Sequence, residues 1–272
     1  MTSNKLDRDL RDTPIAPRRH PFLDHPRPTA IAHRGGGLES EENTLAAFQH
    51  ALQLGYSHVE LDVHASKDGV VVIHHDETLE RMTGDRRTIS DLTWRELSFV
   101  RTHGGAAIAR LEEFFAAFPG LYAIIEPKSD EVVRPLADAI ATANALPRVC
   151  VGSFSQDRIS TCRALLGEGL CHSPAHGGVL RIWLAGWGMP AGVSSAPVLQ
   201  VPTRYCGLPV VTRRFVNAAH QSDTLVQVWT VNEASEMTRL LDLGVDGILT
   251  DRPSLLRQVL MERGQWHGRS PD

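Results

Sequence analysis

The chain has 272 residues, of which 42% are apolar and 22% charged, and a net charge of −4 with histidine counted neutral. That length suits a single α/β barrel, which takes about 250 residues, and it can bury a large core without disulfides or a structural metal. The acidic balance argues against loose binding to nucleic acid or to an anionic membrane, both of which need a basic face. In chain order, residues 1–28 come first and are polar. Arg18-Arg19 is followed by His20, Asp24 and His25 rather than an apolar run, so no secretory signal is read there. The expectation is an extended arm over residues 1–28 and a cytoplasmic protein.

From residue 29 on, short apolar runs alternate with helical periodicity. The first run, Thr29 to His33, ends at Gly35-Gly36-Gly37. Asn43 or Thr44 caps a helix whose face carries Leu45, Phe48 and Leu52. The next strand, Ser57 to Val63, alternates Val59, Leu61 and Val63 with His58, Glu60 and Asp62. Further strands are predicted near 122–126, 149–152, 170–172, 198–201, 224–230 and 245–250. Helices are predicted near 110–118, 131–145, 156–166, 175–186, 213–221 and 253–262, with Asn232 capping one more. Such alternation implies a parallel sheet with right-handed crossovers, and eight strands close into a (β/α)8 TIM barrel. A doubly wound open sheet is the alternative, without its GxGxxG or P-loop. Residues 64–109 break the repeat and are expected as a small insertion after the second strand, on the face where barrel loops carry chemistry. The domain is placed at 29–264, with a tail at 265–272. Cys150, Cys162, Cys171 and Cys206 show no metal-type spacing and are expected to be reduced and mostly buried. No run reaches the roughly 20 apolar residues of a membrane span.

Glu60 and Asp62, two apart on a strand, share one face. Since Val59, Leu61 and Val63 take the face that packs on helices, the carboxylates point into the barrel. There they hold a hard divalent cation, or else they are a polar strand edge. Glu126 ends a buried strand, where it is a third oxygen ligand or the partner of Lys128 in a rim salt bridge. Arg34 can fork onto phosphate oxygens beside the glycine run, where backbone N–H groups approach an anion. His33 is either structural or part of that site. One of His74 and His75 faces in. His64 is a further candidate, or else is exposed or bonded to Asp68. Trp229 either walls a ligand pocket or fills the core.

Taken together these residues resemble the glycerophosphodiester phosphodiesterase family. The matching motifs are His33-Arg34-Gly35, Glu42-Asn43-Thr44, Glu60-Leu61-Asp62-Val63, Asp68-Gly69, His75-Asp76 with Thr78-Leu79 and Arg81, Glu126-Pro127-Lys128, Trp229-Thr230-Val231-Asn232, and Gly247 to Pro253. The resemblance implies a barrel with a small insertion and a divalent ion, Mg2+ or Ca2+, held by Glu60, Asp62 and Glu126. It implies acid–base catalysis by His33 and His75, with Arg34, Lys128, Trp229 and Glu42 on the substrate side. The expected reaction yields glycerol 3-phosphate and an alcohol, by a route that favours attack by the neighbouring glycerol hydroxyl. Two departures stand out: Glu41 replaces a usual proline, and Pro127 separates Glu126 from Lys128, where it bears on the direction in which Lys128 points. The partner is a small glycerophosphodiester, without nucleic acid or stable membrane insertion. A phospholipase-D-like or cyclising activity on lysophospholipids is the alternative. It needs an apolar entry, which the segment Val179 to Trp187 suggests unless that is an ordinary packed helix. A non-catalytic phosphoester-binding protein is the alternative of another class.

Overall fold

A computed structural model describes residues 20–190 and 196–268. Eight parallel strands form a nearly closed ring, and each is followed by a helix. The first unit is β1 (Thr29–Ala32) with α1 (Leu45–Gln53). The second is β2 (His58–Ala65), and its helix comes only after an insertion. That insertion holds β3 (Val71–Ile73), α2 (Glu80–Thr83), α3 (Trp94–Leu97) and β4 (Ala109–Arg110) before α4 (Leu111–Ala117). The next units are β5 (Tyr122–Pro127) with α5 (Val133–Thr142), β6 (Val149–Val151) with α6 (Gln156–Leu166), and β7 (Cys171–His172) with α7 (His176–Gly186). Strand β8 (Val198–Pro202) leads through a hairpin, β9 (Arg204–Tyr205) and β10 (Leu208–Pro209), to α8 (Arg213–Gln221). The last units are β11 (Leu225–Trp229) with α9 (Ala234–Leu243) and β12 (Gly247–Thr250) with α10 (Pro253–Glu262).

The ring runs β7-β6-β5-β2-β1-β12-β11-β8. Its two end strands meet through the Ser173 side chain, whose Oγ accepts from the backbone N–H of Gln200 at 2.9 Å. The barrel, not the open sheet, is therefore the architecture. Alternation explains its layers. Val59, Leu61 and Val63 face outward into a helix-packed core with Phe48, Phe114 and Leu136. Ile31, Ile124, Cys150, Val198 and Leu249 pack together in another cluster inside the ring.

Phe22 and Leu23 belong to that inner cluster and are buried. Residues 20–28, expected as arm, thus pack against the inner cluster. Asp246 accepts from Arg27 at 3.0 Å and ties this segment to β12. The rest of the expected arm, residues 1–19, lies outside the described residues.

The insertion begins later than expected, because β2 runs on to Ala65 and β3 folds back antiparallel on its end, Val63 opposite Ile73. Its own small core is Val72, Leu79, Ile89, Leu92, Leu97 and Ile108. Thr44, not Asn43, caps α1, its Oγ1 accepting from the Ala47 amide at 3.1 Å. The expected cap by Asn232 is not made. Glu233 takes the N-cap place of α9, and the Asn232 side chain binds the β12 loop instead. Pro135 sits in the first turn of α5, where no intrahelical amide is lost. Cys150, Cys162 and Cys171 are buried free thiols, and Cys206 is exposed at the hairpin tip.

Candidate active site

A cavity of about 790 Å³ opens at the carboxyl ends of the barrel strands. Parallel pairing of β2 with β5 sets Asp62 beside Glu126 and Glu60 beside Ile124. Both β2 carboxylates therefore point inward, as the alternation predicts. Glu60, Asp62 and Glu126 each offer an oxygen within 4.8 Å of the others. Three carboxylates this close repel unless compensated. Burial and the neighbouring Asp62 push Glu60 up to about 7. Burial alone would raise Asp62 as well, but Lys128 and Arg34 outweigh it and hold Asp62 below its ordinary range. An all-oxygen donor set with excess negative charge fits a hard divalent cation.

Two cations already lie at this cluster. Lys128 Nζ is 2.9 Å from both Asp62 Oδ1 and Glu126 Oε2. Pro127 does not turn it away, since the Lys128 amide still donates to the Val63 carbonyl at 3.0 Å. Arg34 donates its backbone N–H to Glu60 at 3.0 Å and its Nη1 to Glu42 at 3.1 Å. Its Nε lies 3.2 Å from Asp62 Oδ2, yet it forms no hydrogen bond in that orientation. The contact is one of charge alone. Arg34 has a φ of 51°, and Gly35 and Gly36 follow at 81° and 103°. A Cβ at Gly35 would lie 2.7 Å from that of Ala47, so only glycine lets this turn press on α1.

The two predicted histidines are held alike. His33 Nδ1 donates to Asp251 Oδ1 at 2.6 Å, and its Nε2 lies 3.6 Å from Glu60. Burial would lower the His33 ring, but Glu60 and Asp251 reverse this and raise it. His75 Nδ1 donates to Asp76 Oδ1, also at 2.6 Å. Each ring is thereby fixed with Nε2 presented away from its carboxylate. Of the adjacent pair, His74 is the structural member: it is buried and its Nε2 lies 3.2 Å from the Thr78 carbonyl. His64 is neither exposed nor bonded to Asp68. It is buried and contacts the His75 carbonyl at 3.2 Å, while Asp68 accepts from Ser66 and Trp94.

Glu42 stands behind Arg34 and is not on the cavity wall. It accepts from Arg81 at 2.6 Å, and Arg81 Nε donates to Asp76 at 2.5 Å. A continuous chain thus joins Arg34, Glu42, Arg81, Asp76 and His75. Glu41, at the usual proline position, accepts from Thr102 Oγ1 at 2.7 Å and from the Gly104 amide at 2.9 Å. It pins the insertion that carries His75 to the β1–α1 loop.

Trp229 does line the cavity, 5.7 Å edge-on from Phe154. Val179, Leu180 and Trp183 of α7 line it too, so the segment Val179 to Trp187 is more than an ordinary packed helix. From the sequence, Asn43 and Asn232 read as helix caps and Asp251 only as part of a motif, none of them as a site residue. Asn43 donates to Asp62 at 2.9 Å. Asn232 donates to Asp251 Oδ2 at 2.8 Å and accepts from its amide at 2.9 Å. The available signal for Asp251 was its place just past a strand tip, the rule that identified Glu126.

The model of the glycerophosphoryl diester phosphodiesterase family matches residues 33–255. The probable glycerophosphodiester phosphodiesterase 2 of Mycobacterium tuberculosis is 36% identical over 257 residues, covering 91% of this chain and 96% of the relative. A lysophospholipase D of Homo sapiens is 30% identical over 267 residues, covering 85% of each chain. Among solved structures, an Oleispira antarctica phosphodiesterase in complex with the product sn-glycerol-3-phosphate superposes with a TM-score of 0.74. It is 23% identical and covers 86% of this chain and 97% of its own, a likeness of fold.

Proposed function

The chain belongs to the glycerophosphoryl diester phosphodiesterase family, and from that premise we propose that it hydrolyses glycerophosphodiesters to glycerol 3-phosphate and an alcohol through His33 and His75. The observation carrying this reading is the pair of imidazoles, each held on Nδ1 by a carboxylate at 2.6 Å, beside three converging acids in one cavity. One Nε2 takes the proton of the attacking glycerol hydroxyl as its oxygen bonds to phosphorus. The other ring gives its proton to the departing alkoxide. The cyclic phosphate so formed is opened by water with the roles reversed.

Arg34 and Lys128 draw charge from the non-bridging oxygens as it builds. A divalent cation, Mg2+ or Ca2+, bound by Glu60, Asp62 and Glu126 would supply further positive charge to the phosphoryl group. Glu42 orients Arg34 rather than touching substrate, and Trp229 walls the leaving-group side. The product carried by the Oleispira antarctica phosphodiesterase supports a small glycerol phosphate ligand. Cytoplasmic placement stays part of the proposal: among the described residues no helix is long and apolar enough to cross a membrane.

One observation favours a second reading, lysophospholipid cleavage. Val179, Leu180, Trp183, Leu208 and Val210 give the cavity an apolar wall, and a relative bears the name lysophospholipase D. Turnover of glycerophosphocholine against lysophosphatidylcholine, followed by phosphorus NMR, separates the two. Glycerol 3-phosphate from the first substrate, with a transient cyclic phosphate, is expected. Cleavage of the lysolipid alone would replace the first reading by the second.

A further inference from the structure

Net charge conceals how the charge is arranged. From Gly169 to Ser222 the sequence contains no Asp and no Glu, but it holds Arg181, Arg204, Arg213 and Arg214. In a chain of net charge −4 this makes one long cationic segment. Its recorded side-chain partners, among the described residues, leave the arginine charge uncompensated. Arg204 donates to the Gly207 carbonyl at 2.8 Å, Arg213 to the Asp242 carbonyl at 3.2 Å, and Arg214 stacks over Trp187 at 4.5 Å. Glu236 is the acid that feels Arg204, and its carboxylate is already forked onto Arg239 at 2.7 Å.

The same segment carries unusual apolar exposure. Ten large apolar side chains stay exposed among the described residues, and six of them gather here: Leu180, Trp187, Met189, Tyr205 and Leu208, with Phe154 beside them on the cavity wall. Leu180 and Trp187 are 54% and 55% exposed, and it is the clustering of such side chains rather than the exposure of any one that marks a patch. Both ends of α7 reach the mouth of the barrel. Its first turn, at His176, lines the cavity. Its last residue, Gly186, abuts the backbone of Arg214, with an added Cβ only 3.0 Å from the Arg214 carbonyl. Arg214 opens α8, which starts on the carboxyl side of the barrel like every helix after a barrel strand. Helix α7 therefore lies across the mouth. The β9–β10 hairpin is joined to it where Trp183 Nε1 donates to the Pro209 carbonyl at 3.3 Å.

We propose that α7 and the β9–β10 hairpin form a docking face for an anionic lipid surface, with the cavity mouth opening onto the leaflet. Tryptophan, leucine and methionine enter the interfacial layer while the arginines meet lipid phosphates. The charge pattern disfavours a second copy as the occupant, because the same face on two chains would set arginine against arginine. Docking is peripheral and needs no spanning helix. Its purpose rests on the phosphodiesterase reading: an amphiphilic diester could pass from leaflet to cavity without crossing water.

The test is sedimentation of the full chain with vesicles of phosphatidylcholine alone and of phosphatidylcholine mixed equally with phosphatidylglycerol. Binding to the mixed vesicles only, weakened by salt, is expected. Arg181→Glu with Arg214→Glu should lower it by about tenfold or more, and Trp187→Ser with Met189→Ser should lower it too. None of these four residues lines the cavity, so turnover of soluble glycerophosphoethanolamine should stay at the parent level and reports the phosphodiesterase reading separately. No binding to the mixed vesicles, or binding that all the variants retain, would overturn the proposal. So would a dimer in vesicle-free solution that the same substitutions abolish.

Discussion

His33 and His75 are held alike, each with Nδ1 on an aspartate, and this gives the site its tautomers as well as its positions. Replacing either ring by alanine should cut turnover by about 10²–10⁴ with the melting temperature little changed. Asp251 acts through His33. Asp251→Asn should lower kcat by about 10²-fold or more, leave KM nearly unchanged and alter the pH–rate profile, because an amide can hold the wrong tautomer. An equal loss of stability and activity would make Asp251 merely structural. Glu60 supplies a pH signature. It is pushed up to about 7 by burial and by Asp62, so the ion-free folded site holds a proton below that pH, where the unfolded chain has lost it. The folded state thus holds more protons than the unfolded one between the ordinary glutamate range and pH 7, and ion-free stability falls as pH rises through that window. A cation needs the ionised form. Mg2+ or Ca2+ should therefore raise the melting temperature more at pH 8 than at pH 6, and calorimetry at pH 6 should detect proton release on binding. A pH-independent gain would contradict the assignment of Glu60 as a ligand.

Between elements, the insertion is what brings His75 to the barrel, and Glu41 fastens it there. Glu41→Ala removes two hydrogen bonds to a carboxylate, each worth about 1.5–3 kcal/mol. Hydrogen exchange should quicken across residues 66–108 and turnover should fall, while the barrel strands keep their protection. Unchanged exchange there would remove Glu41 from this role. Much at this scale was legible in the sequence. The alternation of Val59, Leu61 and Val63 gave the facing of Glu60 and Asp62, and the apolar run before Glu126 placed it at a strand tip. The misreadings have physical causes. Asn232 precedes Glu233 as a helix cap would, but an asparagine side chain satisfies a loop amide equally well, and here it holds Asp251. Phe22 and Leu23 were hidden among prolines and charges. The partner that buries them is the interior of a ring closed by strands far along the chain. Periodicity told that α7 was a helix but not that it crosses the mouth, which depends on its contact with α8.

For the molecule as a whole, composition set the right scale and the wrong uniformity. A length near that of one barrel matched the ring of eight strands. The net charge of −4 averaged an arginine-bearing segment free of acids with a more acidic remainder, and only the fold shows α7, the β9–β10 hairpin and the start of α8, which carry those arginines, together at one opening. The cavity beneath it joins a charged floor, where Glu60, Asp62, Glu126, Arg34 and Lys128 meet, to an apolar wall from α7 and the hairpin. A phosphodiester with a polar core and a variable substituent matches that division. The most direct test is glycerol 3-phosphate release from glycerophosphocholine, glycerophosphoethanolamine and glycerophosphoglycerol, each with Mg2+, Ca2+, Mn2+ or EDTA. Release that depends on added metal and stops with EDTA is expected. Folded protein that releases none with any metal, or releases it equally in EDTA, would contradict metal-assisted cleavage at Glu60, Asp62 and Glu126.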